Sequence, residues 1–268
     1  VSTDQSKPMS AFHIFKGDYI TIRNFEITNT QASGIFTNPG SVNGEHIKNL
    51  VVDNVHIHHL YGADNVGGIR LDHCQNCVVK NSTIHDIYYT RKSENPLTSE
   101  PYGLHAGIHG YGPRNTIIEK NTIYNVLRGV YQKQPNEYGD KSNIVRQNLF
   151  HNVDIAYALE VAGYKAPNVE SAEFYGNIVL NSAFAVKALL HETRSQSTSL
   201  KIYNNTLYKT SVLSYIRGIV DVDVFNNIIV RSDDYPIFSE RTGAEELGNR
   251  TLYSLIDHNV YYDTLNIA

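Results

Sequence analysis

The chain has 268 residues, a formal net charge of -4 and 19% charged residues. That is room for one large domain with a continuous core. No basic block marks a nucleic-acid binder, and the longest apolar runs fall far short of the ~18 residues that span a bilayer. Trp is absent while Tyr reaches 19, which excludes a Trp-paved platform for crystalline polysaccharide, and two cysteines are too few for a disulfide framework.

Along the chain one phrase keeps returning. An Asn is followed two or three residues later by an apolar residue, at Asn24, Asn54, Asn81, Asn121, Asn148, Asn177, Asn205, Asn227 and Asn259. The spacing of roughly 22–40 residues marks a solenoid, whose units bury their apolar faces only against their neighbours. A second phrase, small residue then apolar then variable, aligns with the first. It reads Gly34-Ile-Phe36, Gly68-Ile-Arg70, Gly107-Ile-His109 and Gly129-Val-Tyr131, then more loosely Ala156-Tyr-Ala158, Ala185-Val-Lys187 and Tyr215-Ile-Arg217. These period-2 runs predict first strands. A second run follows in each unit (49–52, 115–118, 143–145, 199–202), then the Asn and a third run.

Three short strands per turn without helical periodicity predict an all-β, right-handed parallel β-helix of about eight or nine coils, with corresponding residues stacked ~4.8 Å apart. The Asn column is expected to form a ladder, each amide donating to the next coil's Asn and accepting in return, at a corner that Asn tolerates in the left-handed conformation. Asn81, Asn204 and Asn249 also fit the glycosylation pattern, but ladder and turn roles explain them more simply. Residues 1–268 are expected to form one domain. No capping helix precedes Phe12 and the last coil stops soon after Asp263. The chain is therefore expected to be a piece of a longer protein or to cap itself with polar loops.

Long loops are predicted after the first strand at 38–45, 135–141, 163–171 and 192–199, and before it at 89–102. Loops on both flanks of one strand stack wall a groove. Within that stack Ile35, Ile69, Ile108, Val130, Val186 and Ile216 should point inward. The outward face then carries Phe36, Arg70, Asp72, His109, Tyr111, Tyr131, Lys133, Glu160, Lys187 and Arg217, with His191 near the loop edge. A solvated strand face with alternating charges is the plain reading. A cationic groove for an acidic polysaccharide is the functional one.

On a uronic-acid polymer such a groove suits β-elimination. A cation must neutralise the carboxylate and hold enolate charge, and a base and a proton donor must flank the reacting carbon. Lys133, with a pKa expected to be lowered by cationic neighbours, is the candidate base. Tyr131 or His109 would donate the proton, and Arg70, Lys187 and Arg217 would hold carboxylates. Tyr111, His191 and Glu160 would contact substrate. Glu160 would orient Lys133, or bind Ca²⁺ together with Asp72 or a loop carboxylate, although the six to eight oxygens that calcium takes are not assembled by the sequence. Hydrolysis needs two carboxylates roughly 5–9.5 Å apart. Asp72 and Glu160 are three coils apart, leaving Asp154 with Glu160 or Asp221 with Asp223. Cys74 and Cys77 in their C-x-x-C turn are open to three readings: free thiols, a turn disulfide, or zinc with His73 or His105. His56, His58 and His59, near a third strand, read as surface.

The residues Val130-Tyr-Gln-Lys133, followed by Ser142-Asn143-Ile144 and Asn148-Leu-Phe150, are similar to polysaccharide lyase family six, the alginate and dermatan lyases. The resemblance covers most of the chain as architecture. It implies a secreted or periplasmic protein in which a first-strand Lys acts as base and an Arg one coil further acts as acid, often with Ca²⁺. Lys133 matches the first position. The second falls within residues 157–160, where this chain has no Arg. The expected function is a lyase of an acidic polysaccharide, with a glycoside hydrolase, a C5-epimerase or a non-catalytic carbohydrate-binding module as alternatives, and without nucleic-acid or membrane partners.

Overall fold

Short apolar runs separated by Asn, Asp and Gly become short parallel strands, wound into three stacks. The structure, a computed structural model, describes residues 10–39, 47–62, 66–89, 103–133, 142–162, 170–191, 198–217, 221–232 and 252–263. The predicted loops lie largely outside these residues, as does Asn249. Among the described residues all strand pairs are parallel except Tyr88 and Tyr89 against Leu104 and Gly103. No described helix is long and apolar enough to cross a membrane.

The second strands form one nine-stranded sheet, from Thr21–Arg23 to Leu252–Asp257. First and third strands join into a sixteen-stranded sheet, because in two coils they run on as single strands, Thr122–Lys133 and Leu149–Ala162. In those coils the expected three short strands become two.

The core is a set of columns. In the first-strand stack Ile35 pairs with Ile69, Ile69 with Ile108, Ile108 with Val130, Val130 with Tyr157 and Tyr157 with Val186. All are buried. The small residue preceding each has a steric cause. A Cβ on Gly129 would stand 2.6 Å from the Ala156 carbonyl oxygen and 2.6 Å from the Phe150 ring. The last predicted copy is out of register. Val186 pairs with Leu213, an irregularity follows, and Ile216 pairs with Ala188.

The Asn ladder is present, but it starts later than expected. Asn121, Asn148, Asn177, Asn205, Asn227 and Asn259 are linked in order by amide-to-carbonyl bonds of 3.0, 3.0, 3.2, 2.9 and 2.9 Å. Each amide also donates back to a main-chain carbonyl, as Asn148 does to Ile118 at 2.9 Å. The left-handed corner belongs to the residue before each ladder Asn: Lys120, Gln147, Gly176, Asn204, Asn226 and His258. Asn24, Asn54 and Asn81 occupy that corner position instead, with φ of 61, 52 and 53°. They are exposed, and Ser82 stands at the ladder position, its N–H donating to Asn121 Oδ1 at 3.0 Å. The alignment of these three Asn with the ladder is therefore one residue off.

Asn148 uses both amide hydrogens and accepts two N–H bonds from Asn121. At roughly 1 kcal/mol net per bond, plus orphaned buried partners, Asn148→Ala should lower unfolding free energy by about 3–5 kcal/mol. Asn54→Ala, at an exposed left-handed corner with one exposed amide bond to Asn24, should cost about 1–2 kcal/mol. Denaturant midpoints of the two variants check the contrast.

Candidate functional site

The outward face of the first strands follows from alternation. In the strand Thr122–Lys133, Val130 and Gln132 point inward, so Tyr131 and Lys133 point out. Gln132 is held there by a buried network: Tyr157 donates its hydroxyl to Gln132 Oε1 at 2.8 Å, and Gln132 Nε2 donates to Thr116 Oγ1 at 3.0 Å. Thr116 in turn donates to Asn143 Oδ1 at 2.7 Å. These bonds fix the phase of the strand and hence the direction of its two outward side chains.

Register assembles the face from successive coils. Phe36, Arg70, His109, Tyr131, Ala158 and Lys187 form one column. Tyr111, Lys133, Glu160 and Leu189 form the next. The irregularity after Val186 puts Arg217 opposite Leu189, in this second column and not beside Lys187. His191 pairs with Ala162 at the strand end. The side chains of Arg217 and His191 lie outside the described residues.

Three groups converge. Tyr131 donates its phenol to Glu160 Oε2, and Lys133 Nζ lies 3.9 Å from the same oxygen. The ammonium sits 5.3 Å from the ring centre of Tyr111 and 5.1 Å from that of Tyr131. Burial and the hydrogen bond to Glu160 push the Tyr131 phenol up to about 12. Burial works against the charge of Lys133, but its hydrogen bond with Tyr131 and the nearby Glu160 carboxylate outweigh that, and its pKa is raised. The lowered lysine pKa expected from cationic neighbours is thus reversed, because the neighbours that matter are a phenol and a carboxylate. Glu160 is thus the carboxylate that stands beside Lys133.

A second ion pair lies deeper. Arg70 places Nη2 and Nε 2.6 and 2.8 Å from Asp72 Oδ2, and Tyr111 N–H donates to Asp72 Oδ1 at 3.1 Å. Burial pushes the Asp72 carboxyl up, against the opposing pull of Arg70. Arg70 also stacks over Phe36 at 4.6 Å. Much of its charge is therefore answered inside the protein. Lys187 is half-buried and has no ion-pair partner among the described residues.

His109 is corrected most. It points outward in register but has 0% exposure, stacked on Tyr131 at 5.1 Å and edge-on to Tyr111 at 5.0 Å. It packs the site and does not line it. Asp72 and Glu160 are separated by three strand steps, about 14 Å, so they share neither a calcium ion nor a hydrolytic water. Cys74 and Cys77 form a disulfide, which removes the free-thiol and zinc readings.

Sequence reasoning missed Arg128, whose guanidinium lies 4.3 Å over the Tyr131 ring, and the anchoring role of Gln132. Strict alternation from Val130 and Gln132 would turn Arg128 inward, so the sequence pattern gives no signal for its place over the Tyr131 ring.

A family model described as "Right handed beta helix region" matches residues 10–207 and, overlapping, 67–252. The chain belongs to this family. Such domains are commonly carbohydrate-active. The match is to the fold and singles out no lyase family. No curated protein matches the chain.

The Tyr131 shift makes a pH prediction. The folded phenol titrates near 12, against ~10 in an unfolded chain. Its contribution to stability is complete below pH ~10 and is lost as pH rises through the folded value. The thermal midpoint of the wild type should therefore fall more steeply between pH ~10 and ~12 than that of Tyr131→Phe, as circular dichroism would record.

Proposed function

We propose that this right-handed β-helix protein cleaves a uronic-acid polysaccharide by β-elimination on its first-strand face. The observation that carries the reading is the convergence of Tyr131 and Lys133 on one carboxylate oxygen of Glu160. It supplies an acceptor, a neutral proton donor and a fixed cation within one constellation.

The roles follow from the protonation states. Glu160, ion-paired with Lys133, takes the proton α to the substrate carboxylate. Tyr131, kept neutral by burial and by Glu160, gives its proton to the departing glycosidic oxygen. Glu160 then returns its proton to Tyr131 across their hydrogen bond. The pair ends as it began, and the sugar gains a C=C bond. Lys133 stays charged throughout, neutralising the substrate carboxylate and the enolate that develops from it. A lysine held protonated suits that role better than that of base. Lys187 offers a second carboxylate contact along the polymer, and Tyr111 and Arg128 shape the walls. C5 epimerisation would share the abstraction step, with the proton returned to carbon. A polymer substrate implies a secreted or periplasmic setting, and the Cys74–Cys77 disulfide fits an oxidising compartment.

The test is incubation with alginate, pectate, glycosaminoglycans and ulvan, with and without Ca²⁺, following absorbance near ~235 nm, where the new C=C absorbs. One polymer should give a rise. Glu160→Gln and Tyr131→Phe should each slow it by about 10²–10⁴-fold, the usual worth of a positioned proton-transfer group. A flat trace on every polymer would sink the lyase reading. Binding without turnover, with Lys133→Ala losing affinity alone, would make the face a carbohydrate-binding surface.

A further inference from the structure

The third strands carry a different chemistry at their N-terminal end. Glu26 pairs in register with His56, Thr28 with His58, and His58 with His85. Alternation brings His56 and His58, two residues apart, to one outer face. Glu26 Oε1 lies 3.1 Å from His58 Nε2 and 3.7 Å from His56 Nδ1. One ligand atom from each of the three residues falls within 4.8 Å of the others.

We propose that Glu26, His56 and His58 form a binding site for a divalent transition metal of the zinc class. Imidazole nitrogens with a carboxylate oxygen suit such ions. Donors on a tetrahedral zinc at ~2.0–2.1 Å stand roughly 3.3 Å apart, so the two spacings to Glu26, 3.1 and 3.7 Å, need only small side-chain adjustments.

Two further observations separate this site from a chance surface cluster. First, the far nitrogen of each ligand ring is already held. His56 Nε2 lies 2.9 Å from His85 Nε2, and His85 Nδ1 lies 2.6 Å from Asp86 Oδ2. His58 Nδ1 lies 2.7 Å from His59 Nδ1. A partner behind a ligating histidine fixes its tautomer and ring orientation. The His85 ring is itself clamped between His58 and Tyr124, with centres 5.1 and 4.4 Å away and planes within 5 and 10°. Asp86 is occupied by Tyr88 and Asn125 as well as His85, which makes it a support and not a ligand. Second, Glu26 and His56 border a cleft of ≈ 450 Å³ that they share with Asn24, Asn54, Asn81 and Thr83. Three protein donors leave a coordination position for water or an anionic group entering from that cleft. This site stands apart from the first-strand face and does not depend on the lyase reading.

The test uses the untagged full chain, stripped with EDTA and titrated with Zn²⁺ by calorimetry, then with Co²⁺ by visible absorption. One equivalent should bind, and Co²⁺ should give a ligand-field band. Glu26→Gln and His58→Ala should weaken uptake by about tenfold or more, and the supporting His85→Ala change by about 10- to 100-fold. Circular dichroism in EDTA confirms that each variant is folded, and Glu26→Gln preserves the shape of an exposed side chain. Absence of saturable uptake of either ion, or uptake equal to the wild type's by both the His56→Ala/His58→Ala double variant and Glu26→Gln, would overturn the assignment.

Discussion

Parallel stacking at one strand spacing is the constraint from which the rest of the molecule follows. Each coil must present the same backbone path as the one before it, so a residue's neighbours are its counterparts one coil away. Apolar side chains then form columns, and any buried polar side chain must find its partners in a column too. Asn meets this demand well. Its amide donates to the next ladder carbonyl and to a main-chain carbonyl of the preceding coil, and its own carbonyl oxygen accepts in turn. From Asn121 to Asn259 the polar column is continuous; before Asn121, Ser82 caps it with a hydroxyl that returns to Lys80.

The same rule governs charge. A column of cations at ~4.8 Å spacing would repel itself, and the first-strand face avoids that by interleaving. Arg70 is answered by Asp72, and Lys133 by Glu160. What emerges is a face with its charges placed, and not a uniformly cationic strip. The important consequence is at Lys133. Cationic neighbours would have lowered its pKa; a phenol and a carboxylate raise it. On this face a charged lysine and a neutral tyrosine therefore meet at one carboxylate oxygen of Glu160.

Much of the fold was legible, because the solenoid repeats its demands. Each small residue before an inward apolar one marks where the next coil's carbonyl comes close, as at Gly129. The misreadings came where a repeat looked intact but had slipped. Asn81-Ser-Thr-Ile and Asn121-Thr-Ile differ by one residue, so Asn81 takes the left-handed corner and Lys120, not Asn121, is its counterpart. Arg217 was displaced by an irregularity after Val186 that no side-chain pattern signals. Alternation predicted which way each side chain points, but not whether the space outside it is filled. His109 points out and is nevertheless enclosed by Tyr131 and Tyr111. Tyr131 itself packs against Ala106, Ile155 and Ala158 in a small apolar cluster outside the main core.

That outer cluster explains how the site is held still. Tyr131 is fixed from beneath through Gln132, Tyr157 and Thr116, and from above by Arg128 and His109. Its hydroxyl is left facing Glu160 and Lys133. A strand repeat alone would leave outward side chains to choose their rotamers in water. Here the inward network and the outer packing remove that choice, and a charge-assisted hydrogen bond in a half-buried setting is stronger for it. The third-strand face uses the same device with other residues: His85 is locked by stacking and by Asp86, and through it His56 is aimed. Both faces thus derive their order from the same source, a side chain on one coil held by its counterpart on the next.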